Sequence, residues 1–300
     1  MIRSLVVVVI VWLALVTPAA AASTEDTWLA GLTDRVVDDL AHGKPLVVEI
    51  HVPLCDNSII ACGNAKLGDG DNPDTNLYWW TTPGFGSWFA RKGTGWKRVL
   101  KQRGEATGDK DVVAVEVYRR SITAPAAWQQ RGVGKTFPLV LVIHGWRGKA
   151  IDRALAAYAA DLSDGPARTV TLDDGSKIAA GGAAQLVAWV GHNRLMDLDD
   201  YAWPKPPARP IGMLAIACAT APYMEADVAG SSRVPLLMTR DLLFANAAPL
   251  EATVLAFVTG GGYARMRADA TAAYAKVQER PVAKVAGVFT NPADRRWTKR

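Results

Sequence analysis

Two apolar runs near the middle of the chain end on side chains that can do covalent chemistry. Leu186-Val187-Ala188-Trp189-Val190 leads into Gly191-His192-Asn193, and Met213-Leu214-Ala215-Ile216 leads into Ala217-Cys218-Ala219-Thr220. A thiol attacks as its thiolate and needs a base or cation beside it. An imidazole is the side chain best suited to that task near neutral pH. If the two runs are neighbouring strands, Cys218 and His192 form a nucleophile and base pair. Backbone N–H groups just past each strand can then stabilise an oxyanion. The alternative is structural: a free Cys packs as a small hydrophobe, and a strand-end His can serve only to bond a carbonyl.

Each run has strand length and is apolar on both faces, the pattern of an inner strand in a covered sheet. Ligands of open α/β sheets bind beyond the carboxyl ends of such strands. Around the two runs the sequence predicts alternating elements. Ser23-Thr24-Glu25-Asp26 has a capping-box pattern and opens a helix with Trp28, Leu29, Leu32, Val36 and Leu40 at helical spacing, closed by His42-Gly43. Strands are expected over 46–52, 112–118, 138–143 and 236–243. Further helices are expected over 151–162, 249–258 and 263–278, and Asp173-Asp174-Gly175-Ser176 marks a turn in a small hairpin. This alternation predicts an α/β fold with a largely parallel sheet. No repeat, low-complexity tract or linker divides residues 23–300, which are expected to form a single domain. A loop excursion rich in Gly, Asn, Asp, Pro and aromatics interrupts it at about 55–96.

Residues 1–22 read as a secretory signal peptide. Arg3 supplies the positive region, Leu5 to Val16 the apolar one, and Ala19 to Ala22 the small-residue cleavage site. The apolar run is short for a membrane span. A secreted or periplasmic protein without stable membrane insertion is therefore expected. Of three cysteines, Cys55 and Cys62 lie close together in the excursion and are the natural disulfide in an oxidising compartment, leaving Cys218 free. The 300-residue chain carries a net charge of +5, with basic residues dispersed apart from Arg295, Arg296, Lys299 and Arg300 at the end. It has no nucleic-acid recognition motif, so no nucleic-acid partner is expected.

A buried strand ending in His, followed by one ending in Ala-Cys, resembles the caspase–legumain–gingipain group of cysteine peptidases, clan CD. In that group the motif is Gly-His-Gly or Ser-His-Gly, then an apolar run and Ala-Cys. The matching residues here are Gly191-His192-Asn193 and Ala217-Cys218, with Asn193 where the group has Gly. The resemblance covers roughly residues 138–245. It implies a caspase-like three-layer sandwich, Cys218 as nucleophile, His192 as general base, and the N–H groups of Asn193 and Cys218 as the oxyanion hole.

His144-Gly145 follows another apolar run and makes His144 an alternative base. An α/β-hydrolase is excluded, because Asn193 holds the elbow position that needs a nucleophile and neither Ser231 nor Ser232 sits in a G-x-S-x-G turn. Asp69, Asp71 and Asp74 lack the closing Glu of an EF-hand and read as a polar turn. No Cys/His set has zinc spacing and no phosphate loop is present, so neither metal nor cofactor is expected. In the excursion, Asn76, Trp79 and Trp80 are candidate substrate-binding residues. The expected function is an exported cysteine-dependent hydrolase, peptidase- or amidase-like, acting on a peptide or a cell-wall-derived substrate. The alternatives are a non-enzymatic module binding peptide or glycan through the Trp-rich loop, and an inactive peptidase relative.

Overall fold

A computed structural model describes residues 23–298; the signal-peptide reading and the last two residues of the basic end lie outside them. In chain order the elements are α1 (Thr24–Ala41), β1 (Leu46–Pro53), α2 (Phe85–Trp88), β2 (Lys97–Arg103), β3 (Val112–Thr123), α3 (Ala126–Gln129), β4 (Thr136–Trp146), α4 (Ile151–Asp161), β5 (Ala167–Thr171) and β6 (Lys177–Gly181). They continue with β7 (Leu186–Gly191), β8 (Ile211–Ala217), α5 (Ala221–Met224), β9 (Arg233–Thr239), α6 (Ala248–Val258), α7 (Tyr263–Val277), α8 (Val282–Val285) and β10 (Phe289–Thr290).

Eight strands form one sheet in the order β10-β9-β8-β7-β1-β4-β3-β2. The inner strands β4, β1, β7, β8 and β9 run parallel, while β3, β2 and β10 pair antiparallel at the two edges. Strands β5 and β6 form a separate hairpin around the expected turn. One face of the sheet packs on α1, α6 and α7 through Leu32, Val36, Leu250, Val254 and Met266. The other packs on α4 and the hairpin through Leu155, Tyr158, Leu172 and Ile178. The result is a three-layer α/β sandwich. No helix among the described residues is long and apolar enough to cross a membrane.

Local chemistry explains the elements. Ser23 caps α1 by accepting from Asp26 N at 3.1 Å, while Asp26 Oδ2 accepts from Ser23 N at 3.2 Å. Strands β1, β7, β8 and β9 are buried along their whole length, which is why β7 and β8 read as continuous apolar runs and β1 is apolar apart from Glu49 and His51. The fourth expected strand differs in position: it spans Arg233–Thr239 rather than 236–243. Its first residue is a buried Arg whose Nε donates to Leu162 O at 3.0 Å and whose Nη2 donates to Ser163 Oγ at 2.7 Å. Because those acceptors satisfy the guanidinium, a charged residue can open an inner strand.

After β1 the chain goes to the far edge as β2, comes back through β3 to β4 beside β1, and then crosses through α4 to β7 on the other side of β1. Strands β1 and β7 are therefore where the strand order reverses. Their carboxyl ends open the crevice in which such sheets place ligands.

Candidate functional site

Strands β7 and β8 end level with each other, Gly191 pairing with Ala217, so the next residues, His192 and Cys218, leave neighbouring strands side by side. Gly191 has φ +133°, and a Cβ there would lie 3.3 Å from Pro53 O and 3.4 Å from the Tyr78 ring. Only glycine fits that backbone and that contact. Trp189 Nε1 then donates to His192 O at 3.0 Å. The buried Asn193 side chain ties the two strand ends together. Its Nδ2 donates to Cys218 O at 2.8 Å and its Oδ1 accepts from Leu195 N at 3.2 Å.

Beyond Cys218 the backbone turns sharply. Ala219 has φ +46°, a left-handed conformation that costs a non-glycine residue about 1–2 kcal/mol. Ala219 N donates to Asp241 O at 3.1 Å, and Thr220 N donates to Thr239 Oγ1 at 3.0 Å. Thr220 Oγ1 also donates to Ala215 O at 2.8 Å. The fully buried Leu186, Val190, Leu214 and Ile216 each contribute about 1.5–3 kcal/mol. The strands therefore outweigh the turn they carry, and the strain falls next to the candidate nucleophile.

Cys218 is a free, half-buried thiol. Its Sγ donates to Leu243 O at 3.7 Å. The phenol of Tyr78 is pushed up by burial and secondarily by the nearby Cys218. His192 Nε2 pairs with Asp197 Oδ2 at 2.6 Å, and Arg194 Nη1 reaches the same oxygen at 3.3 Å. Burial works to raise the Asp197 carboxyl, but the hydrogen bond and charge of His192, then those of Arg194, hold it below its ordinary value. Among the described residues no hydrogen bond joins the thiol to His192. Asp197 was not visible in the sequence as an orienting group, because only the one-turn 3₁₀ segment Arg194–Asp197 brings it back onto the ring.

His144 stands elsewhere. It lies on β4, three strand positions from β8, or about 14 Å at ordinary strand spacing, so it is out of reach of Cys218 as a base. Its Nε2 is 2.7 Å from Glu49 Oε1 instead. Glu49 and His51 point from β1 into a buried cluster that also includes Asp161 of α4 and Arg168 of β5. Trp146 Nε1, which can only donate, bonds His51 Nδ1 at 3.2 Å. His51 must therefore accept there and carry its proton on Nε2, which donates to Asp161 Oδ2 at 2.9 Å.

Glu49, His51 and Asp161 bring one potential ligand atom each within 4.8 Å of one another. The place for a cation is already taken: Arg168 Nη2 lies 2.7 Å from Glu49 Oε1 and also pairs with Asp161. Each carboxylate thus has its positive partner, and the cluster fits a buried ion network better than a metal site. Two polar residues inside the apolar strand Leu46–Pro53 were the sequence signal for it.

The aromatic excursion differs from expectation. Cys55 and Cys62 do form a disulfide. Asn76, however, is fully buried. Its Nδ2 donates to Cys55 O at 2.8 Å, and its Oδ1 accepts from Cys55 N at 3.1 Å and Tyr78 N at 3.0 Å. It is the internal tie of the loop, with no surface left for a substrate. Trp79 is 1% exposed and lies over Gly145, where a Cβ would approach its ring to 2.8 Å, so it is a core residue and offers no exposed stacking face. Of the three candidates, Trp80 alone presents its ring to solvent, at 59% exposure.

The chain matches no protein-family model, no curated protein and no solved structure.

Proposed function

We propose that this chain is an exported cysteine hydrolase with a clan CD-like site, cleaving an amide bond in a peptide or a cell-wall-derived substrate. The observation that carries the reading is the side-by-side departure of His192 and Cys218 from adjacent parallel strands beside the crevice where the strand order reverses. The pairing of His192 Nε2 with Asp197 supports it by leaving Nδ1 to act as the base. Export accords with the disulfide.

In this mechanism Cys218 rotates away from Leu243 O and gives its proton to His192. The thiolate attacks the amide carbonyl carbon, and the N–H groups of Asn193 and Cys218 stabilise the oxyanion. The C–N bond breaks as His192 returns the proton to the leaving amine. Water, deprotonated by His192, then hydrolyses the thioester and restores the thiol. Catalytic hydrogen bonds often tighten only once substrate is bound, which accounts for the resting thiol on Leu243.

Hydrolysis of a mixed library of peptide amides and muropeptides by the mature protein tests this. Cys218→Ala should abolish turnover while circular dichroism stays unchanged; turnover retained by that variant overturns the mechanism. The second reading, a non-enzymatic binding module, is favoured by the exposed ring of Trp80. It predicts ligand binding that Cys218→Ala leaves intact, with no turnover by the wild type.

A further inference from the structure

A cleft of about 300 Å³ opens between the edge strand β2 and the segment that carries α2. That volume is at the small end for a ligand site and suits one or two sugar rings. Its walls are rich in donors and cations. Arg91, Arg98, Lys101 and Arg103 line it, against the two carboxylates Asp74 and Glu116.

Those carboxylates are already engaged. Glu116, which is 1% exposed, takes Arg103 Nη2 at 2.5 Å, the Tyr118 hydroxyl, and Arg98 at 3.8 Å. Asp74 lies 3.6 Å from Arg103 Nε. Lys101 sits directly opposite Glu116 in the β2–β3 ladder, yet it makes no ion pair among the described residues, and neither does Arg91, which stacks 3.5 Å over Trp88.

One buried donor on the same wall also lacks an acceptor. Trp79 Nε1 has no hydrogen-bond partner although its side chain is 1% exposed, whereas Arg103 Nε has the Asp74 carboxylate at 3.6 Å as an ion-pair partner. An indole N–H can only donate, and leaving it buried and unpaired costs about 1–3 kcal/mol. At the mouth stands Trp80, whose exposed ring offers a flat apolar face.

We propose that this cleft binds an anionic sugar, one bearing a carboxylate or a sulfate. The ring stacks on Trp80, hydroxyl and anionic oxygens accept from Trp79 Nε1 and Arg103, and the negative charge answers Lys101 and Arg91. The site is separate from Cys218 and does not depend on thiol chemistry. A sugar is favoured over a nucleotide because no glycine-rich phosphate loop accompanies the cations.

Isothermal titration of the folded protein with a digalacturonate, a sulfated disaccharide, cellobiose and a nucleoside monophosphate tests the proposal. At least one anionic disaccharide should bind, about tenfold or more tighter than cellobiose, and binding should weaken with added salt. Trp80→Ala and Lys101→Ala should each weaken it about fivefold or more, and Cys218→Ala should leave it unchanged. Both substitutions are on exposed side chains, so circular dichroism should match the wild type. No binding of either anionic disaccharide at millimolar concentration, equal binding of cellobiose, indifference to Trp80→Ala, or binding of the nucleotide alone would each overturn the proposal.

Discussion

His51 shows how a single side chain can fix a charge state without a measured proton. Its Nδ1 faces a group that can only donate, so the ring is neutral, and burial accordingly pushes its pKa below the ordinary 6.5 against the opposing pull of Asp161 and Glu49. Burial would raise Glu49, but His144 first and Arg168 next outweigh it and hold the carboxyl below its ordinary 4.5. Both folded pKa values lie below their unfolded ones, so the unfolded chain binds more protons in acid. Stability from His51 is fully present above about pH 6.5 and declines below it. That from Glu49 is present above about pH 4.5 and declines in turn. Urea unfolding should therefore show a midpoint that falls from about pH 7 to about pH 5, with most of that slope removed in His51→Asn. A midpoint independent of pH over that range would contradict a buried neutral His51.

Elements whose patterns repeat were legible; those defined by one tertiary contact were not. The capping box of α1 and the apolar runs of β1, β7 and β8 give their own boundaries to within a few residues. Strand β2 is a largely polar edge strand, Lys97-Arg98-Val99-Leu100-Lys101-Gln102-Arg103, and lacks the apolar alternation that would identify it. The excursion before it was legible as a loop with a disulfide, but not as a loop folded inward. Buried Asn76 and Trp79 carry the residue types of a binding surface while performing the work of a core. The Cys55–Cys62 link closes a sequence separation of 7 residues, for which loop entropy suggests about 2–3 kcal/mol. The double variant Cys55→Ser/Cys62→Ser should lose about that much stability in denaturant titration while the strand content by circular dichroism is retained. An unchanged midpoint would mean that the Asn76 bonds alone hold the excursion.

For the whole molecule, topology decides which candidate residues can meet. The sequence offered His192 as the base and His144, at the end of another apolar run, as the alternative. The strand order separates them, with β7 beside β8 and β4 three positions away. The His192 and Cys218 strand ends could be read from sequence because both strands are buried on two faces; Asp197 could not, because its role depends on a single turn after β7. The fold thus sets a half-buried thiol, a strained Ala219 and a carboxylate-oriented imidazole at one end of the sheet. The cation-lined cleft lies toward the β2 edge. The most direct test of the central claim is the rate of Cys218 alkylation by iodoacetamide near neutral pH, followed by mass spectrometry on the folded protein. Wild type should react about tenfold or more faster than His192→Ala, with Asp197→Ala in between and His144→Ala like the wild type. Equal rates in wild type and His192→Ala, or no labelling until the protein unfolds, would contradict a Cys218–His192 pair.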